Sequence, residues 1–163
     1  MLSSVTASLP SDDVAAADMV LFRTSPPTAP GPALDLLRRC APEMLGDVTD
    51  ARLYLLVDVA AEDPHQALAA ALVVPGSTPE RARMVALAVE PSRRRRGLAT
   101  RLLSDVRRSL QAGGEILEFC TNADDALTKM LRRLGFAEDP DVVNDGYSHR
   151  SVGRPVLWRS RET

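Results

Sequence analysis

The sequence predicts an α/β (α+β) fold in one domain, built on a sheet that mixes parallel and antiparallel strands. Three observations carry this expectation. The apolar run Arg83–Val89, an amphipathic stretch with Leu98, Leu102, Leu103, Val106 and Leu110 on one face, and the run Ile116–Thr121 form a strand–helix–strand unit. Such a unit places its two strands parallel through a right-handed crossover. The runs Arg52–Ala60 and Gln66–Pro75 flank the turn-forming Glu62-Asp63-Pro64-His65, which adds an antiparallel hairpin to the sheet. A second helical stripe, Leu127, Met130, Leu131 and Leu134, supplies another helix to cover it.

In chain order, Met1–Ala17 is rich in Ser, Ala and Asp without periodicity and reads as a loose tail, leaving 18–163 as the single domain. Met19–Thr24 reads as a first strand. Ser25–Pro32 holds four prolines and a glycine and must be a loop. Leu34, Leu37, Ala41, Met44 and Leu45 recur at helical spacing, so a helix is expected over Pro32–Leu45, with Pro42 awkwardly late in it. The Ala-rich Gln66–Pro75 is assigned to strand because it ends in Val73-Val74-Pro75-Gly76. Ser77–Glu80 turns into the central strand, which is apolar enough to be covered on both faces. The next helix stops at Gly113-Gly114. Asn122-Ala123-Asp124-Asp125 offers caps for the last helix, and Gly135 is its expected C′ residue. Beyond Pro140, Tyr147–His149 and Val156–Trp158 read as two final strands around Gly153-Arg154-Pro155, with Trp158 in the core.

Composition narrows the function. A length of 163 residues with 45% hydrophobic residues suits one domain with a sizeable core. A formal net charge of −2 gives no general attraction to nucleic acid or anionic membranes. No apolar run approaches the roughly 20 residues that cross a bilayer. Met1–Ala17 lacks the basic and apolar regions of a signal peptide, so the cytoplasm is the expected compartment. Cys40 and Cys120 are too few and too separated for a disulfide framework or a zinc site, and His65 and His149 make no ligand pair. No metal is expected. Cys120 reads as a small apolar strand residue.

The chemistry concentrates at Glu90-Pro91-Ser92-Arg93-Arg94-Arg95-Arg96-Gly97-Leu98-Ala99-Thr100, where the central strand gives way to a helix. The first helical turn has amides without internal acceptors, and the helix dipole adds positive character. Gly97 permits close approach of a ligand to the backbone, and Ala99 is small. Arg93 reads as a solvated arginine, Arg94 and Arg96 as phosphate contacts.

The strand Met84–Val89, the loop Arg94-Arg95-Arg96-Gly97-Leu98-Ala99 and the later Leu134-Gly135-Phe136 together resemble the GCN5-related N-acetyltransferase (GNAT) family, over about Arg52 to Phe136. The resemblance implies a mostly antiparallel, twisted sheet with a central parallel strand pair and flanking helices. It implies acetyl-CoA, or another acyl-CoA, as co-substrate. The amides and arginines of Arg94, Arg95, Arg96, Gly97, Leu98, Ala99 and Thr100 would hold the pyrophosphate, and the main chain of Leu87, Ala88 and Val89 would pair with pantetheine and polarise the thioester. Asn122 and Lys129 are further candidates on the cofactor side, and Arg132 and Arg133 could also reach the 3′-phosphate or adenine. Many members of the family carry a tyrosine four residues before the Gly of Gly-Phe, placed to protonate the CoA thiolate. Here that position is Leu131. Tyr54 reads as a packed aromatic, and Tyr147 as a candidate catalytic or substrate-contacting residue. For the base, the candidates are Glu90, Glu118, Asp58 and His149, each with an alternative reading as an ordinary charged residue. Glu118 should face opposite Leu117 and Phe119.

The function expected is acyl-CoA-dependent N-acylation, most simply acetyl transfer to a primary amine of a small molecule or peptide by direct attack in a ternary complex. The alternative is an acyl-CoA-binding sensor or scaffold with a degraded acceptor site, motivated by Leu131. Nucleic-acid binding through Arg93–Arg96 ranks last, since interleaved aromatics are missing. No membrane partner is expected, and relatives that pair through edge strands make a homodimer an open option.

Overall fold

The structure is a computed structural model and describes residues 19–24, 31–40, 42, 50–59, 66–121, 125–139 and 156–160. Among the described residues there are seven strands: β1 (Met19–Thr24), β2 (Arg52–Asp58), β3 (Ala67–Pro75), β4 (Arg81–Val89), β5 (Ile116–Thr121), β6 (Phe136–Asp139) and β7 (Val156–Ser160). They form one sheet in the order β1-β2-β3-β4-β5-β7-β6. Every neighbouring pair is antiparallel except β4 and β5, which run parallel. The sheet is therefore mixed, with its parallel pair in the middle, as expected.

Among the described residues, three α-helices cover the two faces: α1 (Pro32–Cys40), α2 (Leu98–Ala112) and α3 (Asp125–Arg133). On one face, Leu98, Leu102, Leu103, Val106 and Leu110 of α2 and Leu131 of α3 pack with Tyr54, Met84, Leu117, Phe119 and Trp158. On the other, Ala33, Leu34, Leu36 and Leu37 of α1 pack on Leu53, Leu72, Ala86 and Ala88. Burying each large aliphatic side chain contributes about 1.5–3 kcal/mol, so the five apolar residues of α2 fix where its N-terminus must lie.

The middle of β4 is irregular. Leu72 pairs with Ala86 and Val73 with Met84, so Val85 is an extra residue. This bulge reverses the faces of the strand. Ala82 and Met84 join the α2–α3 core, Val85, Ala86 and Ala88 the α1 side, and Leu87 and Val89 the α2–α3 side again. A bulge bends its strand and raises local twist, and apolarity alone carries no trace of it.

Some expectations need correction. The first described helix covers Pro32–Cys40 and Pro42 is not part of it; the other residues of the expected helix over Pro32–Leu45 lie outside the described residues. Pro42 has no N–H to continue the ladder and disfavours helical geometry just before it. Among the described residues, the strand preceding β7 in the sequence is Phe136–Asp139. The expected strand Tyr147–His149 lies outside the described residues, as do Met1–Ala17 and the loop after Thr24. β6 escaped the sequence reading because it is short and acidic, and it starts directly after the helix-terminating Gly135, whose φ is +80°.

Candidate active site

The parallel pairing of β4 and β5 runs from Arg81↔Ile116 to Met84↔Phe119 and stops there. Beyond it, β4 stays with β3 as far as Val89↔Ala69, while β5 follows β7 as far as Thr121↔Val156. The two strands thus separate at the residue just before the Val85 bulge. The main chain of Val85–Val89 is left with an edge on the β5 side to which an extended ligand can pair, as a strand does. Leu87 and Val89 are partly buried and Ala88 is buried, so what they offer a ligand is backbone.

At the end of this edge Pro91–Arg93 makes a single 3-10 turn, and the loop to α2 follows. Arg95 has φ +63° and Gly97 φ +75°, both left-handed. For arginine that conformation costs on the order of 1–3 kcal/mol, and such strain clusters at functional sites. Left-handed residues within a turn also aim successive amides into one concavity that suits an anion. Gly97 is the N-cap of α2 and makes no side-chain cap. The Arg101 amide reaches the Gly97 carbonyl at 2.9 Å, so those of Leu98, Ala99 and Thr100 fall in the turn that lacks intrahelical acceptors. A capping side chain would have stabilised the helix by about 0.5–2 kcal/mol; its absence leaves these donors open. Arg93, Arg94, Arg95, Arg96, Gly97 and Thr100 are exposed, Ala99 is half-buried, and the Leu98 side chain belongs to the core.

From Thr100 a groove of about 410 Å³ continues between α2 and α3, lined by Ala126, Lys129, Met130 and Arg133. Lys129 thus lines the same groove as Thr100 of the open turn. Arg132 points elsewhere: it bonds Glu138 at 2.7 Å and lies over the Trp158 ring at 5.7 Å.

The carboxylates of Glu90 and Glu118 are both engaged. Glu90 accepts from Arg39 at 3.0 Å, tying the end of α1 to the end of β4. Beside it, Arg94 Nε donates to the Val89 carbonyl at 3.4 Å, and its Nη2 is 3.9 Å from Cys40 Sγ. Glu118 is fully buried on the face opposite Leu117 and Phe119 and is ringed by Arg81, Arg83 and Arg159 at 3.3, 3.7 and 3.3 Å. Leu131 is fully buried in the core, and so is Tyr54. Asp58 is half-buried at the end of β2, with β3 between it and β4. Asn122, Tyr147 and His149 lie outside the described residues, and the side chain of Cys120 is likewise not described. Among the described residues, no three His, Cys, Asp or Glu side chains gather as metal ligands, and no helix is long and apolar enough to cross a membrane.

Sequence reading missed the arginines around Glu118. Arg81 and Arg83 alternate with Ala82 and Met84, a period-2 signal for one strand face. Arg159 joins them only through the β5–β7 register, Glu118↔Arg159.

A mixed sheet whose central parallel strands diverge above an uncapped, arginine-rich helix N-terminus defines a class of fold that receives an extended, phosphorylated ligand. The acetyltransferase (GNAT) domain profile matches residues 59–150. The chain belongs to the GNAT acetyltransferase family, whose members are acyl-group transferases. Among solved structures, it is similar to a GNAT family acetyltransferase from Elizabethkingia anophelis with acetyl-CoA bound, at 18% identity and TM-score 0.66 over 89% of this chain and 99% of that one. A Bacillus subtilis acetyltransferase in complex with CoA matches at 17% identity and TM-score 0.62, over 88% and 100%. The ribosomal-protein-S18-alanine N-acetyltransferase from Escherichia coli matches at 20% and 0.60, over 86% and 93%. These likenesses concern the fold. Comparison with curated proteins gives no significant match.

Proposed function

We propose that this chain transfers an acetyl group from acetyl-CoA to a primary amine of a small molecule or peptide, by direct attack in a ternary complex. The observation that carries the proposal is the divergence of β4 and β5 at Met84↔Phe119, continuous with the left-handed loop and open turn of α2. The pyrophosphate binds the amides from Arg94 to Thr100, with Arg94, Arg95 and Arg96 adding charge-assisted bonds. The 3′-phosphate end enters the groove of Lys129 and Arg133. Pantetheine runs back along Val89–Val85, which brings the thioester to the bulge. A backbone N–H of Leu87–Val89 then polarises the thioester carbonyl, a type of stabilisation worth several kcal/mol in the transition state, about 2.7–4 kcal/mol per donor.

The amine nitrogen attacks the carbonyl carbon, the C–S bond breaks as the amide forms, and the CoA thiolate leaves. In this reading water protonates the thiolate, since Leu131 has no proton to give. The amine loses its proton to water as well. Glu90 stands at the phosphate end, about five strand residues or roughly 16 Å from the bulge. Glu118 is close to the reacting end but sealed beneath three guanidinium groups, and it serves to hold them. Free alkyl amines have pKa values near 10, so kcat/KM should climb tenfold per pH unit below that range. The test is acetyl-CoA turnover with a panel of primary amines. In Glu118→Gln the pH slope should persist at a lower rate. A slope that flattens in this variant would instead make Glu118 the base.

Leu131 in the core favours a second reading, an acyl-CoA sensor. It requires tight acetyl-CoA binding with no turnover of any amine, and one acceptor used at an ordinary rate removes it.

A further inference from the structure

The consecutive arginines Arg93–Arg96 differ in what they touch. Among the described residues, Arg94 is the one of the four whose guanidinium holds a hydrogen bond, and it is turned back onto β4. Its Nε donates to the Val89 carbonyl at 3.4 Å, and its Nη2 lies 3.9 Å from Cys40 Sγ at the end of α1. Arg94 is extended (φ −63°, ψ 161°) and directly precedes the left-handed Arg95. Its side chain therefore leaves the loop before the backbone turns toward α2.

The acceptor that Arg94 occupies belongs to the open edge. The Glu90 N–H donates to the Leu68 carbonyl of β3 at 2.9 Å. In an antiparallel ladder, successive residues turn their N–H and C=O to opposite edges. Glu90 and Ala88 thus face β3, and Leu87 and Val89 face the side that β5 has left. Two residues of this stretch can pair with an extended ligand, and the carbonyl of the one nearer the loop is already taken by Arg94.

We infer that Arg94 is a plug that selects the thioester by its diphosphate. The inference rests on the cofactor placement in the acetyl-transfer reading above. A thioester entering along β4 needs the Val89 carbonyl for its own amide N–H, so it must displace the guanidinium. A CoA thioester brings its diphosphate to the same loop, and the displaced guanidinium gains the better partner. A phosphate takes paired, charge-assisted bonds from the guanidinium fork, whereas the carbonyl takes one long one. The Cys40 contact adds little, since a thiol sulfur is a weak acceptor. An acyl-pantetheine without phosphates displaces the plug and gives it nothing in return. One side chain thus favours acyl-CoA and opposes its truncated analogue.

The test compares acetyl-CoA with S-acetylpantetheine, the same thioester without phosphates. Calorimetry reads the first, and the shifts of the Leu87 and Val89 amide resonances read the second. Arg94→Ala should bind acetyl-CoA about tenfold or more weakly and S-acetylpantetheine about two- to fivefold more tightly. Arg96→Ala, which removes a loop charge but not the plug, should weaken acetyl-CoA without improving S-acetylpantetheine. S-acetylpantetheine bound no better by Arg94→Ala than by the wild type, or bound by neither, overturns the inference and leaves the cofactor site standing. Equal improvement in Arg96→Ala also overturns it, because loop charge in general would then be the cause. Failure of the wild type to bind acetyl-CoA removes both readings.

Discussion

Gly97 is the residue at which the cofactor reading can be tested against a number. Its φ is +75°, and a Cβ built there meets no atom within 4 Å. The cost of Gly97→Ala is therefore conformational alone, about 1–2 kcal/mol for a left-handed L-residue. At this chain length that lowers Tm by about 2–8 °C. Gly97→Glu carries the same backbone cost and adds a carboxylate at the mouth of the open turn. At roughly 6 Å from a phosphate charge and an effective dielectric near 20, repulsion is about 3 kcal/mol per charge, and solvent and salt screening bring the net for the pyrophosphate to about 2–3 kcal/mol. Gly97→Glu should then bind acetyl-CoA roughly 30- to 150-fold more weakly than Gly97→Ala. The two variants should melt within a degree or two of each other. Calorimetry at low and high salt reads the difference, which should narrow as salt rises. Equal affinity in the two variants would refute the placement of the pyrophosphate, whatever the wild type does.

Lys129→Ala should weaken CoA by about tenfold while leaving 3′-dephospho-CoA nearly unaffected, because a lost hydrogen bond between charged groups is worth about 1.5–3 kcal/mol; equal losses for both ligands would move the 3′-phosphate out of the α2–α3 groove. Leu131→Ala should cost about 2–5 kcal/mol of stability, read by urea unfolding, since the side chain is fully buried; a loss under about 0.5 kcal/mol would mean that the residue faces the ligand space. In the β3–β4 turn, Glu80 is held below the usual carboxylate range by its backbone hydrogen bond, then by the Thr78 hydroxyl, with a smaller contribution from Arg81. A lowered folded-state pKa stabilises the fold above the unfolded pKa, and this contribution fades as pH falls through the folded value. Thr78→Val should raise the Glu80 titration midpoint by NMR, and an unmoved midpoint would exclude the hydroxyl.

Local order along this chain was legible because it depends on near neighbours. The stripe Leu98, Leu102, Leu103, Val106 and Leu110 became the buried face of α2 without exception. Gly97 and Gly135 stand at the helix end positions that their missing Cβ suits, both at positive φ. The alternation that set Glu118 against Leu117 and Phe119 also held, since strand periodicity admits little else. The strand-to-helix transition at Arg94–Thr100 was legible as a stretch of exposed amides, because such a transition leaves them without acceptors wherever it occurs.

Tertiary structure decided the rest, because those features arise from pairing between distant segments. Nothing within Met84-Val85-Ala86 announces a bulge; it exists because Leu72 and Val73 of β3 stand opposite Ala86 and Met84, with Val85 left over. The divergence of β4 from β5 begins beside the Val85 bulge, where β4 keeps its register with β3 while β5 keeps its other edge on β7. Arg81 and Arg83 of β4 and the distant Arg159 of β7 surround one buried carboxylate of β5 only because the sheet brings the three strands side by side. Leu131 and Tyr54 entered the core as the helical stripe and the strand reading expect, whereas Arg132 turned to Glu138 and Trp158 by packing that no spacing encodes. The sequence by itself determined most of the described strands and helices, β6 excepted, and the strand-to-helix loop that exposes backbone amides, since backbone geometry and local periodicity are short-range. Only the assembled sheet determined where β4 is left with an open edge and which charges border it, since both depend on register between strands that meet only after the chain has folded.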